Sequence, residues 1–276
     1  MTHYVSGKAA AYGFLILGSL IALYPVTSVL LLSFKAPDEK LSGFSLPRGI
    51  HWDNYLQAWT RGGFLQALTA SVIVAACVVT VTVILAVSAA YGLSQLRRPI
   101  VLAILGILLI GLVMPYEATI ISLYDMMRSL GLLNSLTALI LPQIAMSLPF
   151  GIFWMTAFFA TVPPALREAA YTDGATRLQT LRFILIPLAF PAIATLGILL
   201  FLFTWNEFLL PLVLVPDNKS AQTVPLVLSF FSGNRRNSEP PVTAAAAVLV
   251  ALPILVMYVV LQRRMIQGIV SGATKE

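Results

Sequence analysis

The sequence predicts an all-α integral membrane protein, a single transmembrane domain over residues 1–276 with about six spanning helices. Three observations carry that prediction. Hydrophobic residues make up 59% of the chain and charged residues only 10%, where a soluble domain is about a quarter charged. The apolar residues fall into blocks long enough to cross a bilayer, since roughly 20 residues rising about 1.5 Å each span about 30 Å of hydrocarbon. The basic residues are scattered between those blocks. Helices are the expected form because lipid offers no partner to an open backbone.

In order, the spans are residues 11–34, 67–93, 99–121, 135–158, 187–214 and 242–261. The first follows Lys8 and runs apolar from Ala9 to Phe34, longer than the core of a secretory signal. No small-x-small cleavage site follows, so it reads as a retained span. The third is bracketed by Arg98 and Glu117, and the fifth is interrupted near its end by Asn206 and Glu207. Pro25, Pro142, Pro149, Pro191, Pro211 and Pro253 are expected to bend their helices. Ala244 to Ala247 is a run of small residues that lets helices approach closely.

Three loops stand out. Lys35 to Gln66 carries Pro37, Pro47 and the aromatic residues Trp52, Tyr55 and Trp59, which fit an interfacial belt. A second loop spans residues 159–186. The third, residues 216–241, is polar at both ends with an apolar middle from Val224 to Phe231. If the N-terminus is cytoplasmic, the 17 basic residues divide nine inside to eight outside, which decides nothing. Weighting the pairs next to span ends, Arg97–Arg98 and Arg263–Arg264, favours that orientation.

Several classes are excluded or disfavoured. The net charge of +6 is scattered, with no basic patch interleaved with aromatics, so no nucleic-acid partner is expected. The lone Cys77 allows no internal disulfide, and His3 and His51, the only histidines, lie far apart in sequence, which argues against a histidine-based metal site. No phosphate-binding loop, HExxH, nucleophile elbow or dinucleotide fingerprint is present, so no catalytic residue is assigned and any nucleotide hydrolysis falls to a partner.

The most informative segment is TVPPALREAAYTDGATRLQTLRFILIP, Thr161 to Pro187. Pro163 and Pro164 suit a helix start, and Ala165 to Asp173 reads as a short helix. Gly174 supplies a left-handed stop, and Thr176 with Gln179 forms a capping box that opens a second helix. The result is a helix–turn–helix at the membrane surface. Ala169 and Ala170 give it a small-residue face, with Arg167, Glu168 and Asp173 around them. Physics leaves two readings: a face that docks into a groove on another protein, or an amphipathic helix that orders the loop.

The segment resembles the EAA motif of binding-protein-dependent ABC importers: Glu-Ala-Ala, three residues, Gly, nine residues, then Ile-x-Leu-Pro. Glu168, Ala169, Ala170, Gly174, Ile184 and Pro187 match, and Ile186 in place of Leu is a conservative departure. GLLNSLTALILP, LPFGIFWMTAFFATVP, WNEFLLPL and the tail QRRMIQGIVSGATK are similar to the MalG-like branch, whose members mostly import sugars. The resemblance implies a type I ABC importer permease fold in a bacterial inner membrane, with both termini cytoplasmic. It implies that Arg167, Glu168, Ala169, Ala170, Asp173 and Gly174 form a cytoplasmic coupling helix.

The implied partners are a second, MalF-like permease chain, two ATP-binding cassette ATPase subunits and an extracytoplasmic sugar-binding protein, all in membrane lipid. ATP and Mg would sit on the ATPase subunits, with no cofactor on this chain. The tail would also touch the ATPase, and residues 216–241 would reach the binding protein. Other cargo in the same importer class, a glycerol phosphate or an amino sugar, stays open. So does an ion-coupled secondary carrier, for which Glu207 is the one mid-span carboxylate on offer.

Polar residues inside a membrane are costly and often functional. Asn206, Glu207 and Trp205 are therefore candidates to line or gate a solute path, and the alternative is hydrogen bonding between helices. Tyr116, Glu117, Tyr124 and Asn134 lie near outer span ends, either adding to that path or serving as interface anchors and turn residues.

Overall fold

The computed structural model describes residues 2–39, 45–61, 63–233 and 239–273, with side chains over 11–39, 45–61, 63–231 and 239–259. Among the described residues all regular structure is helical. Among the described residues five helices are long and apolar enough to cross a membrane, or six if the bent pair Arg98–Val113 and Tyr116–Ser129 is one span. The chain divides into two compact units, Met1–Leu65 with Val227–Pro253, and Gln66–Leu226 with Ile254–Glu276.

In the first unit, α1 (Thr2–Ser33) carries Pro25 in its interior. At its end a buried Asn54 donates through Nδ2 to the carbonyls of Ser33 and Lys35, both at 2.9 Å. Asn54 belongs to α2 (Asp53–Arg61), so one amide satisfies the open carbonyls where the span stops. The three aromatic residues of this loop have separate roles. Trp52 is exposed and Tyr55 bonds Ser33 at 2.7 Å, both rings flanking Phe34, while Trp59 packs on Phe64. Ala58 of α2 meets Ala245 and Ala246 at the start of α12 (Pro240–Ala273), the close approach expected of that alanine run. Arg61 pairs with Glu239 beside it at 2.8 Å.

The second unit begins within α3 (Phe64–Leu93) and continues through α4 (Arg98–Val113), a 3-10 turn (Tyr116–Thr119) and α5 (Ile120–Ser129). Next come α6 (Leu136–Phe159), α7 (Pro164–Thr172) and α8 (Arg177–Gln179). A π-helical segment (Thr180–Leu185) leads into α9 (Ile186–Trp205) and α10 (Leu209–Leu214), and the unit's boundary at Leu226 falls within α11 (Val224–Gly233), which continues in the first unit. The core of the second unit is built where α3, α6 and α9 meet, around Ala86, Ala90, Met155, Leu196 and Leu200. A Cβ added at Gly151 would stand 2.9 Å from the Ala86 Cβ, so α6 and α3 approach as closely as side chains allow. Trp154 locks α6 to α9 by donating from Nε1 to the Ala192 carbonyl at 3.0 Å.

The structure differs from the expected spans in three places. The third, expected as one helix over 99–121, breaks at Met114–Pro115 and bends by 78° into the segment Tyr116–Ser129. Pro115 donates no N–H and forces the residue before it out of the helical region; Met114 accordingly sits at φ −65°, ψ 123°. The fifth, expected over 187–214, starts earlier, running as Arg177–Trp205, and stops before Asn206, with α10 as a separate short helix. The apolar middle of the loop 216–241 is not irregular: it forms α11. The side chains of Lys8, Lys40, Arg235, Arg236, Arg263, Arg264 and Lys275, and the tail side chains from Gln262 to Lys275, lie outside those described.

Candidate functional site

Two places in the second unit gather the candidate residues. The first is the turn between α6 and α9. Pro164 opens α7, and the helix ends in a full left-handed cap. Gly174 sits at φ 81°, its N–H bonds the Tyr171 carbonyl at 3.1 Å, and the Ala175 N–H reaches back to Ala170 at 2.9 Å. Two residues later Thr176 and Gln179 exchange the reciprocal bonds of a capping box, at 2.8 and 3.3 Å. The turn is therefore fixed by hydrogen bonds local to the chain.

Ala170 is buried and points into the unit, whereas Glu168, Ala169 and Asp173 are exposed. Among the described residues the Glu168 carboxylate has no ion-pair partner. Arg167 turns inward instead, donating to the Ser94 carbonyl at 3.3 Å and its hydroxyl at 3.2 Å, at the end of α3. Tyr91 of α3 donates to the Arg177 carbonyl at 3.0 Å and lies 3.3 Å from the Tyr171 hydroxyl. Both helices of the turn are thus tied to one span end, and sequence spacing gave no hint of Tyr91 or Ser94.

The second place is a cavity of about 650 Å³ beside the two broken spans. Of the predicted path residues it brings together Tyr116, Asn206 and Glu207. Glu207 is half-buried; it accepts from the Leu210 N–H at 2.9 Å, which anchors the start of α10, and from the Tyr116 hydroxyl at 3.3 Å. Asn206 returns its amide to the Leu202 carbonyl at 2.8 Å, closing the end of α9. Leu112, Met146, Phe150, Leu202 and Phe203 make the rest of the wall largely apolar.

Gln143 and Thr204 also line it, 6% and 7% exposed, yet Gln143 Nε2 and Thr204 Oγ1 have no hydrogen-bond partner. A buried polar atom left unpaired costs about 1–3 kcal/mol, so two on one wall need an explanation. The signal for Gln143 was present in the sequence, as the one amide of the fourth span.

The other candidates lie elsewhere. Trp205 is 2% exposed and stacks on Phe201 at 5.2 Å. Tyr124 packs against the cluster around Met127 and Leu139. Asn134, at φ 59°, clasps two loops: it donates from its N–H to Leu214 at 2.8 Å, and its carbonyl accepts from Asn218 at 2.7 Å. Glu117 is exposed. A second hollow, of about 340 Å³, lies in the turn between Asp173 and Ile184.

Comparison with known proteins gives the arrangement its context. The family described as binding-protein-dependent transport system inner membrane component matches residues 82–270. The trehalose transport system permease protein SugB of Mycobacterium tuberculosis is 34% identical over 255 residues, 92% of this chain and 93% of that one. The diacetylchitobiose uptake system permease protein NgcG of Streptomyces coelicolor is 34% identical over 267 residues, 96% of this chain and 88% of its own. A chain from the crystal structure of a bacterial ABC transporter that imports the acidic polysaccharide alginate superposes with a TM-score of 0.76, covering 95% of this chain and 97% of that one. At 24% identity it shows the same fold. This multi-pass chain belongs to the binding-protein-dependent transport system inner membrane components.

Proposed function

We propose that this permease is one half of a two-chain, ATP-driven sugar importer, with α7 as the element that takes force from a cytoplasmic ATPase. The second half would be a MalF-like permease chain; two ATPase subunits would hold ATP and Mg, and an extracytoplasmic binding protein would deliver the sugar. Both termini would face the cytoplasm. The observation that carries this reading is the α7–α8 turn. It is rigidly capped at Gly174 and Thr176, tied to α3 on one side, and leaves Glu168, Ala169 and Asp173 exposed on the other. A surface that is held so firmly while its carboxylates stay unpaired is suited to receive a push from a partner. Sugar as cargo is supported by the names of the relatives, trehalose and diacetylchitobiose permeases. The ion-coupled alternative has less support, because Glu207 already accepts from Leu210 and Tyr116 and is the one carboxylate on the cavity lining.

Purification of the tagged chain from its native membranes tests the assembly. A second permease and a nucleotide-binding ATPase in fixed ratio are expected; a chain that comes out alone and moves solute in vesicles without ATP would overturn the reading. Gly174→Val tests the coupling. A β-branched residue at φ 81° costs about 1–2 kcal/mol and displaces the cap. The complex should still assemble and hydrolyse ATP, with uptake per ATP down by about tenfold. Glu168→Ala should act in the same direction.

A further inference from the structure

Gln143 on α6 and Thr204 on α9 stand on facing helices of one cavity and do not bond across it. Polar residues kept only to hold a membrane bundle together would satisfy each other or a neighbouring carbonyl, as Trp154 does with Ala192. Of the other polar groups on the lining, Asn206 bonds Leu202, and Glu207 bonds Leu210 and Tyr116. Gln143 and Thr204 hold their hydrogen-bonding capacity in reserve.

We propose that this wall is a binding surface for an uncharged sugar ring, with Gln143 and Thr204 meeting its hydroxyls and Glu207 turning anions away. The proposal rests on the importer reading above and names the class of cargo. A volume of about 650 Å³ suits a small saccharide. The Phe150 and Phe203 rings, 5.8 Å apart, offer the apolar surface on which the C–H face of a pyranose lies. The Gln143 amide nitrogen and the Thr204 hydroxyl are buried and unpaired, so a ring hydroxyl that reaches them as the wall opens makes a hydrogen bond that the closed wall lacks. The charge preference follows from Glu207, half-buried on the lining with no Lys or Arg among the lining residues. An acidic sugar there meets repulsion with no cation to offset it. The fold itself does not impose this, since the alginate importer carries an acidic polymer on the same architecture.

The test uses the intact, nucleotide-free complex in nanodiscs, bypassing selection by the binding protein. Trehalose, diacetylchitobiose and digalacturonate serve as probes in saturation-transfer NMR. At least one neutral disaccharide should bind the wild-type complex, and digalacturonate should bind at least tenfold more weakly. Gln143→Leu with Thr204→Val should weaken the neutral ligand at least tenfold. Glu207→Gln, whose amide oxygen still accepts from Leu210, should strengthen digalacturonate several-fold relative to the neutral sugar. Co-elution with the ATPase reports folding, and either single substitution carries the test if the double one does not assemble. Binding of neither neutral disaccharide, unchanged binding in the Gln143 and Thr204 variants, or equal binding of digalacturonate would each overturn the proposal. The importer reading fails separately, by the absence of an ATPase from the purified complex.

Discussion

Gly174 and Gly151 are both needed as glycine, for opposite reasons. Gly174 has open space around it and a φ of 81°, so its constraint is in the backbone. Gly151 sits in the interior of α6, and its constraint is the Ala86 methyl 2.9 Å from where a Cβ would stand. Gly151→Val should therefore lower thermal stability of the complex, by about 1–3 kcal/mol for an overpacked site, as read by thermal unfolding in detergent. Ala86→Gly in the same chain should recover part of that loss by reopening the space, a coupling that distant sites do not show. No recovery would mean that α3 and α6 do not meet at this point. The two glycines also mark what a sequence exposes. Gly174 was legible because caps are built from residues within one turn of each other. Gly151 was not, because its partner is 65 positions away and only packing brings them together.

At the scale of elements, α7 is a short helix that depends on its neighbours to transmit anything. Its link to the membrane part of the unit runs through Arg167 to Ser94 and through Tyr91 to the Arg177 carbonyl. Each such bond is worth about 0.5–1.5 kcal/mol. Tyr91→Phe with Ser94→Ala should leave the complex assembled and hydrolysing ATP, with uptake per ATP reduced by several-fold to tenfold in proteoliposomes. An unchanged ratio would place transmission along the π-helical segment and α9 alone. That segment has its own local cause. Pro187 has no N–H for the Phe183 carbonyl, and the ladder widens there, with Ile186 bonding back to Leu181. The same residue type breaks the third span at Pro115. Both prolines were visible in the sequence. What they would do was not, because a proline inside an apolar run bends one helix and severs another according to what packs beside it.

For the whole chain, orientation in the bilayer is the property that ties α7 to a partner. The raw count of nine basic residues to eight decides nothing, while the pairs next to span ends, Arg97–Arg98 and Arg263–Arg264, favour a cytoplasmic N-terminus. The stronger constraint is chemical. A coupling surface, as proposed for α7, has to face the ATP; that reading would put Asp173 in the cytoplasm and, after one further crossing by α9 and α10, Asp217 outside. Both residues are exposed, and Cys77 is the sole native thiol, so each side can be read separately. In a Cys77→Ser background, a membrane-impermeant maleimide should label Asp217→Cys in intact cells and reach Asp173→Cys only after lysis. The reverse pattern would put α7 on the outer face, where no ATPase could reach it, and the coupling role would have to be abandoned even if the fold stood. Labelling of Asp173→Cys should also fall when the ATPase is bound, because the docked subunit would cover the exposed carboxylate face of α7. That protection joins the topology of the chain to the assembly proposed for it, and neither result alone would do so.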